Sequence, residues 1–329
     1  EDLKMKKSLI ALLLSSVALL SACSASGETK TDLEKSTTNK KLKIGITQIA
    51  EHPSLDMVRK GFEEKLKADG VDAQIIYQSA QGDLSVANTI AQSFVDKKVD
   101  LIFAISTPSA QAAKNVTSDI PIVFAAVTDP EQSDLKAENI TGTSDKAPVK
   151  SQLELFNKLD PSIKKVGIVY STSETNSQIQ VKEAKKYATE LGLEIVDVGV
   201  NNINDLPQGI DAMLGKSDAV YMITDNLVSS SLELLASKTN SAKKILVSAG
   251  LFDDSDAAKS IMLANGVSYK SFGEKSAQMA EQILLQNVKP STIPFFYAEK
   301  GENFVSMDVV KQIGLDENNE IIKNAQKLN

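Results

Sequence analysis

Beyond residue 40 the chain alternates between two spacings of apolar side chains. Runs such as "LKIGITQ" (residues 42–48), "AQIIYQ", "DLIFAIS" and "PIVFAAV" are apolar on both sides of the backbone and predict strands buried on both faces. Between them, apolar residues recur every three or four positions. In "PSLDMVRKGFEEKLKADG" (residues 53–70), Leu55, Val58, Phe62 and Leu66 share one helical face. Pro53 falls where a first turn tolerates it and Gly70 where a helix ends. Further helices are predicted after Asp83 and after Thr107 and Pro108. Strands linked through helices predict an α/β domain with a parallel sheet covered on both sides.

The pattern then restarts. "KKVGIVYS" (residues 164–171) echoes "KLKIGITQ" and is followed by a helix through Tyr187, "LEIVDVGV", a helix ending near Leu214, "DAVYMIT", another helix, "KILVSAG" and "SIMLANG". The repeat is weak in residue identity and clear in architecture, so two similar doubly wound parallel-sheet lobes are expected. The chain should cross between them near residues 141–147, return near Asn265, and cross a third time near residues 289–294, placing "PFFYAE" and the last helix on the second lobe. The expected lobes are therefore 41–144 with 265–290, and 145–264 with 291–329, joined by a three-segment hinge.

The strand ends carry the functional signal, because ligands of open parallel sheets bind at the rim formed by the strands' carboxyl ends. In the first lobe those ends bear Thr47 and Gln48, Gln78 and Ser79, Ser106 and Thr107, and Thr128 and Asp129. In the second they bear Ser171 to Ser173, Thr224 to Asn226, and Ser248. Two such rims facing each other form a cleft of hydroxyls, amides and a few carboxylates, suited to a small polar solute. Helix capping and turn chemistry would account for any one of these residues, though less well for the whole set. Phe103, Phe124, Tyr170 and Tyr221, apolar side chains near the rim, are mostly core by strand periodicity, which leaves one or two of them to flank a bound solute.

The segment before the first strand has a different character. Lys4, Lys6 and Lys7 precede an uncharged run closed by Ser21 and Ala22, the order of a secretory signal peptide too short to span a bilayer comfortably. Glu1 to Leu3, ahead of Met5, read as an upstream start or an added remnant. The only cysteine of the 329 residues, Cys23, follows at once, and "LLSAC" resembles the bacterial lipobox. In that motif a peptidase cuts before the cysteine and the thiol carries a diacylglycerol, whose two acyl chains supply stable anchoring. An ordinary signal peptide with an incidental cysteine is the alternative. Residues 24–40, "SASGETKTDLEKSTTNK", are too polar to bury a core and read as a tether.

Composition narrows the class further. With 36 basic and 43 acidic residues the net charge is -7, which argues against nucleic acid as a partner. A lone cysteine excludes a disulfide framework. No G-x-G-x-x-G follows the first strand, and neither a P-loop nor a G-x-S-x-G elbow occurs. His52, the only histidine, reads as a helix-entry residue able to touch the ligand. Asp253, Asp254 and Asp256 lack the glycine and terminal glutamate of a calcium loop and read as a helix cap with its first turn. A transition-metal site would need more His or Cys than the chain has. No cofactor and no metal are expected.

The segments "ITQIAEHPSLD", "SAQGD", "DLIFAISTPSAQAA", "PIVFAAVTDP", "NITGTSD" and "ITDN" together resemble the substrate-binding lipoproteins of ABC transporters, in the branch that takes up tryptophan and tyrosine. The resemblance implies a type I periplasmic-binding-protein fold whose lobes close on a free amino acid and present it to a permease driven by a cytoplasmic ATPase. It puts the ligand carboxylate near Ser106 and Thr107 and its ammonium near Asp225, with Gln48, Asp129, Ser173, Asn176 and Asn226 adding contacts. The family carries an Ile-Asp pair before the tyrosine of the returning crossover, where this chain has Ser268 in place of the acid. Elementary physics agrees with the assignment: free amides at the start of the helix at Thr107-Pro108 attract a carboxylate, and a strand-end Asp in the opposite lobe can pair with an ammonium. The expectation is a monomeric, lipid-anchored receptor on the extracytoplasmic face of a bacterial membrane, with no catalysis of its own. Competing readings are a nucleoside or sugar receptor, disfavoured by the absence of Trp and an aromatic content of 5%, a hydrolase or isomerase using Asp129 and Asp225, and a sensory module.

Overall fold

The computed structural model describes residues 41–252, 256–298 and 301–328. The expectations for the signal peptide, Cys23 and the tether lie outside the described residues, as do Asp253 and Asp254. Asp256 opens a short 3-10 turn, Asp256–Ser260.

The first lobe is built in chain order from β1 (Leu42–Gln48), α1 (Pro53–Ala68), β2 (Ala73–Ser79), α2 (Leu84–Asp96), β3 (Leu101–Ile105), α3 (Thr107–Val116), β4 (Ile122–Val127) and β5 (Ile140–Ser144). The chain then enters the second lobe with α4 (Val149–Leu159), β6 (Lys165–Ser171), α5 (Thr175–Glu190), β7 (Glu194–Val200), α6 (Leu206–Leu214) and β8 (Ala219–Met222). There follow α7 (Asn226–Ser229), α8 (Leu232–Ser241), β9 (Leu246–Ser248) and β10 (Leu263–Gly266). The long helix α9 (Tyr269–Gln286) returns to the first lobe, and β11 (Phe296–Tyr297) stays there. The end of the chain, β12 (Glu302–Val305), α10 (Met307–Ile313), α11 (Glu320–Asn324) and β13 (Gln326–Lys327), completes the second lobe.

The two sheets run β11-β5-β4-β3-β1-β2 and β13-β12-β10-β9-β8-β6-β7. All described pairings are parallel except β10 with β12. One placement differs from the sequence expectation: "PFFYAE" lies on the first sheet, not the second, with Phe296 opposite Thr143 and Tyr297 opposite Ser144. The reason is packing. Phe295 meets Phe124 of β4 at a centroid distance of 5.2 Å, so this segment covers the exposed edge of β5 before the chain crosses.

Each core is closed by aromatic contacts and by glycines that let other groups come near. Phe62 of α1 stacks on Phe103 of β3 at 3.8 Å, while Phe156 and Tyr221 meet edge to face in the second lobe. Helices α1 and α9 approach through Gly61 and Gly273. A Cβ on Gly273 would stand 1.9 Å from the Val58 carbonyl oxygen, and one on Gly61 would stand 2.3 Å from that of Lys270. Because α9 alone carries the chain back into the first lobe, this contact fixes where the second crossing leaves it. Gly273→Ala is expected to lower the unfolding free energy by about 1–3 kcal/mol through overpacking, read as an earlier denaturant midpoint. An unchanged midpoint would show that the two helices can part without cost.

Candidate functional site

In the first sheet β1 lies between β2 and β3, and in the second β6 lies between β7 and β8. At each of these points the winding reverses, so neighbouring connections diverge and leave a crevice at the strands' carboxyl ends, the place where such sheets bind ligands. The crevice of the first lobe is bounded by Gln48 and by Ser106 and Thr107. That of the second is bounded by Ser171 and by Thr224 and Asp225. The two crevices face each other across a narrow cavity lined from both lobes, by His52, Thr107 and Thr128 on one side and Asn176, Asp225 and Asn226 on the other.

On the first-lobe wall, Ser106 caps α3 with φ 82° and ψ 163°, a conformation that is essentially a glycine preserve. The tight strand-to-helix turn forces it: the Ser106 amide still donates to the Ala125 carbonyl at 2.8 Å while the next residue is already helical. The Ser106 hydroxyl is buried with no protein partner, as are those of Thr47 and Ser109. Thr107 lines the cavity, its hydroxyl accepting from the Thr128 amide at 3.4 Å. The first amides of α3 have no intrahelical acceptor, so this corner presents donors.

The second-lobe wall is acidic. Asp225 caps α7 and is 1% exposed; its carboxylate accepts from the amides of Ser171 at 2.7 Å and Val228 at 2.8 Å and from the Ser177 hydroxyl at 2.6 Å. Glu174, also buried, accepts from both nitrogens of Asn226, from the Asn176 amide group at 3.1 Å and from the Leu227 amide at 3.2 Å. Burial pushes the Glu174 carboxyl up to about 7, and the neighbouring Asp225 charge pushes the same way, against the hydrogen bonds it receives. Burial raises Asp225 and Asp145 as well. Asp145 also lines the cavity, held by the Tyr269 hydroxyl at 2.9 Å and by Thr128 at 3.3 Å. No lysine or arginine lines the cavity among the described residues.

The lobes touch across the cleft. His52 Nε2 lies 3.4 Å from Asn226 Oδ1, the hydroxyls of Thr128 and Thr224 lie 3.0 Å apart, and Gln111 reaches Thr175 at 3.4 Å. Burial lowers the His52 imidazole to about 4, the Asn226 contact opposing it in part. Outside this seam lies a wider groove of about 550 Å³, bounded by Leu84 and Asp83 on one lobe and Asn202 and Ile203 on the other. Asn226 lines both spaces.

Of the residues singled out in the sequence, His52, Thr107, Asn176, Asp225 and Asn226 line the inner cavity. Ser106 is buried beside it in the wall. Gln48 is buried behind the wall, donating to the Ala50 carbonyl at 2.8 Å and to Asp56 at 2.9 Å. Ser173 faces the outer groove and pairs with the Ser171 hydroxyl at 3.0 Å. Asp129 is spent elsewhere. Although burial opposes its charge, bonds from Gln132 and from the Lys146 ammonium at 2.6 Å hold its carboxyl below the usual range. Phe103, Phe124 and Tyr221 are wholly core, and none of these or Tyr170 lines the cavity. The rings that do are Phe252 and Tyr269. Glu174 and Asp145 went unpredicted too. Glu174 sits between the predicted Ser173 and Asn176, a carboxylate just past a strand end, so a signal for it existed. Asp145 lies in a crossing, where periodicity says nothing.

Comparisons with known proteins agree with this geometry. The family model of the ABC transporter substrate binding protein matches residues 43–329. The tyrosine-binding protein of Clostridioides difficile is 37% identical over 311 residues, covering 91% of this chain and 89% of that one. The structure superposes on an ABC domain from Streptococcus pneumoniae in complex with L-Trp, 30% identical, with a TM-score of 0.81 over 88% of this chain and 100% of that one. A ligand-free, open substrate-binding protein from Clostridium difficile is 37% identical but gives a TM-score of only 0.63, over 87% of this chain and 99% of that one. The two-lobe architecture is the type I periplasmic-binding-protein fold, and the chain belongs to the family of ABC transporter substrate-binding proteins, which bind solutes and do not transform them.

Proposed function

We propose that the chain captures a free aromatic amino acid, tyrosine or tryptophan before phenylalanine, between its lobes and hands it to a membrane permease. The observation that carries this reading is the polarity of one cavity: a strained helix start at Ser106 and Thr107 on one side, and the buried acid Asp225 on the other, with Glu174 buried behind Asn176 and Asn226. A zwitterion matches both ends at once. Its carboxylate takes the α3 amides, as anions do at helix N-termini. Its ammonium has three N–H groups for acceptors near the acidic wall: Asn176 Oδ1 on that wall and His52 Nδ1 across the seam from it are both buried without protein partners. Leu55, Ile223, Phe252 and Tyr269 supply an apolar flank for a side chain. The tyrosine-binding relative and the L-Trp complex favour the aromatic class.

The same proposal extends to the amino-terminal segment. Lipidation at Cys23 would hold the receptor on the outer face of the cell membrane, and residues 24–40 would let it reach the permease. Metabolic labelling with a radioactive fatty acid, compared between wild type and Cys23→Ser, tests the anchor separately from the ligand.

A thermal-shift screen of residues 24–329, freed of bound solute in denaturant and refolded, should show L-tyrosine or L-tryptophan raising the melting temperature, since a ligand that binds only the folded form stabilises it by mass action. No response to any amino acid would overturn the reading. Ser106→Gly separates strain from binding. Relief of about 1–3 kcal/mol of backbone strain, offset in part by glycine's extra unfolded-state entropy, should leave the apo protein slightly more stable while its affinity for tyrosine falls about tenfold. Equal affinity would remove Ser106 from the site.

Affinity should also fall on acidification from pH 7.5 to 5.5. An ammonium beside Glu174 favours the ionised carboxyl, and closure favours the neutral His52, so both groups release protons when the ligand binds. Calorimetry in buffers of differing ionisation heat should register proton release. Proton uptake would contradict the assignment of the acidic wall.

A further inference from the structure

We infer that Glu174, acting through Asn226, fixes the tautomer of His52 so that its Nδ1 is a bare acceptor aimed at the ligand, making the Glu174–Asn226–His52 chain a positioning relay across the closed cleft. The inference rests on the solute-binding reading above but not on which solute is bound.

Each link follows from donor and acceptor chemistry. All four groups that reach the Glu174 carboxyl are N–H donors: the Asn226 backbone and side-chain nitrogens, the Asn176 side chain and the Leu227 backbone. Glu174 therefore receives and does not give, and the nitrogen of the Asn226 side chain must face it. That orientation turns Asn226 Oδ1 toward the other lobe, where His52 Nε2 stands 3.4 Å away. An amide oxygen has no proton to offer, so the Nε2 atom must carry one. A neutral imidazole has a single N–H, and burial keeps this imidazole neutral. Nδ1 is then an unprotonated acceptor, buried with no partner in the protein, on a residue that lines the inner cavity.

The relay also explains why two buried groups with no direct contact to one another sit where they do. Glu174 belongs to the second lobe and His52 to the first, so the Nε2–Oδ1 contact exists only when the lobes meet. In the open form nothing ties the His52 proton to Nε2. Closure selects the tautomer whose free nitrogen takes a donor from the bound molecule: an ammonium, a phenol or an indole N–H, but not an ether or a carboxylate. Specificity for a donor at that point follows, because a buried acceptor left unpaired costs more than a weakened contact. The groups around His52 are Asn226 with Glu174 behind it, and the acids Asp225 from the second lobe and Asp145 from the first crossing, which line the same cavity.

The experiment exploits the fact that His52 is the only histidine in the chain. Protein labelled with 15N at the imidazole gives one pair of ring-nitrogen signals, and their shifts identify the tautomer without reference to affinity. With L-tyrosine as the probe, the closed wild type should show the Nε2–H form. Glu174→Ala should give a mixture of tautomers and bind tyrosine at least tenfold more weakly. Glu174→Gln, which keeps an acceptor toward Asn226, should restore the Nε2–H form. An Nδ1–H imidazole in the wild type, or an unchanged tautomer in Glu174→Ala, overturns the relay. The wild-type spectrum decides the matter even if Glu174→Ala does not fold. If tyrosine and tryptophan both fail to bind, the ligand assignment falls, and the tautomer is read with whichever solute the thermal screen returns.

Discussion

A carboxylate taken out of water must be met by hydrogen-bond donors or by a positive charge, and the second lobe buries two of them side by side with donors alone. Glu174 and Asp225 hold the start of α7, the strand end at Ser171 and the two asparagines of the wall, all through N–H and O–H groups. Burial raises the proton affinity of both carboxyls, and these bonds offset that rise only in part. The first lobe has the opposite surplus, a helix start whose amides have no acceptor and a serine held in a conformation few side chains adopt. Neither lobe can satisfy the other directly, since Thr128–Thr224 and His52–Asn226 bring them together only at the edges of the cavity. On the proposed function, what completes both is a molecule with an acid at one end and an amine at the other.

The hinge is part of the same arrangement. Asp145, in the first crossing, and Tyr269, at the start of α9 just past the second, are bonded to each other, and both line the inner cavity. The second and third crossings are packed glycine on glycine, since a Cβ on Gly301 would stand 2.6 Å from the Gly266 Cα. Asn265, next to that contact, is tied to Gln152 of α4 and to Asn303 of β12. A ligand pressing on Tyr269 therefore touches the segments about which the lobes move. Binding and closure share residues and need no longer path, and a ligand shifts the open–closed balance only by the contacts it makes better in the closed form.

Much of this was readable in the sequence because it depends on local rules. Strand and helix periods, the repeat of the pattern and the rule that parallel sheets bind at carboxyl ends are enough for two doubly wound lobes and for a rim containing Thr107, Asp225 and Asn226, while Asn176 comes only from the family resemblance. Where the reading failed, the cause was tertiary. "PFFYAE" has no signal that says which sheet edge needs covering, and Phe295 on Phe124 decides it. Asp129 reads as well as Asp225 at a strand end, yet Lys146 stands close enough to claim one and not the other. Aromatic residues near a rim cannot be sorted into core and cavity by period-two alternation when both strand faces are buried. Phe252 and Tyr269, in the connection after β9 and at a helix start, carried no periodic signal. Ser106 was chosen for its place before a helix, while the backbone strain that marks it depends on the turn geometry.

The opposite pKa shifts of His52 and Glu174 have one origin and offset each other in stability. His52 is lowered from 6.5 to about 4, so between those values the unfolded chain binds the extra proton and folding weakens as pH falls. Glu174 is raised from 4.5 to about 7, so over that window the folded protein binds the extra proton and folding weakens as pH rises. Between about 4.5 and 6.5 the two slopes oppose each other, and the closed body is buffered against acid and base by groups in the same seam. Toward a ligand they act together. An arriving ammonium lowers the proton affinity of Glu174, and closing the seam lowers that of His52, so acid opposes capture through both while the fold itself hardly registers the change.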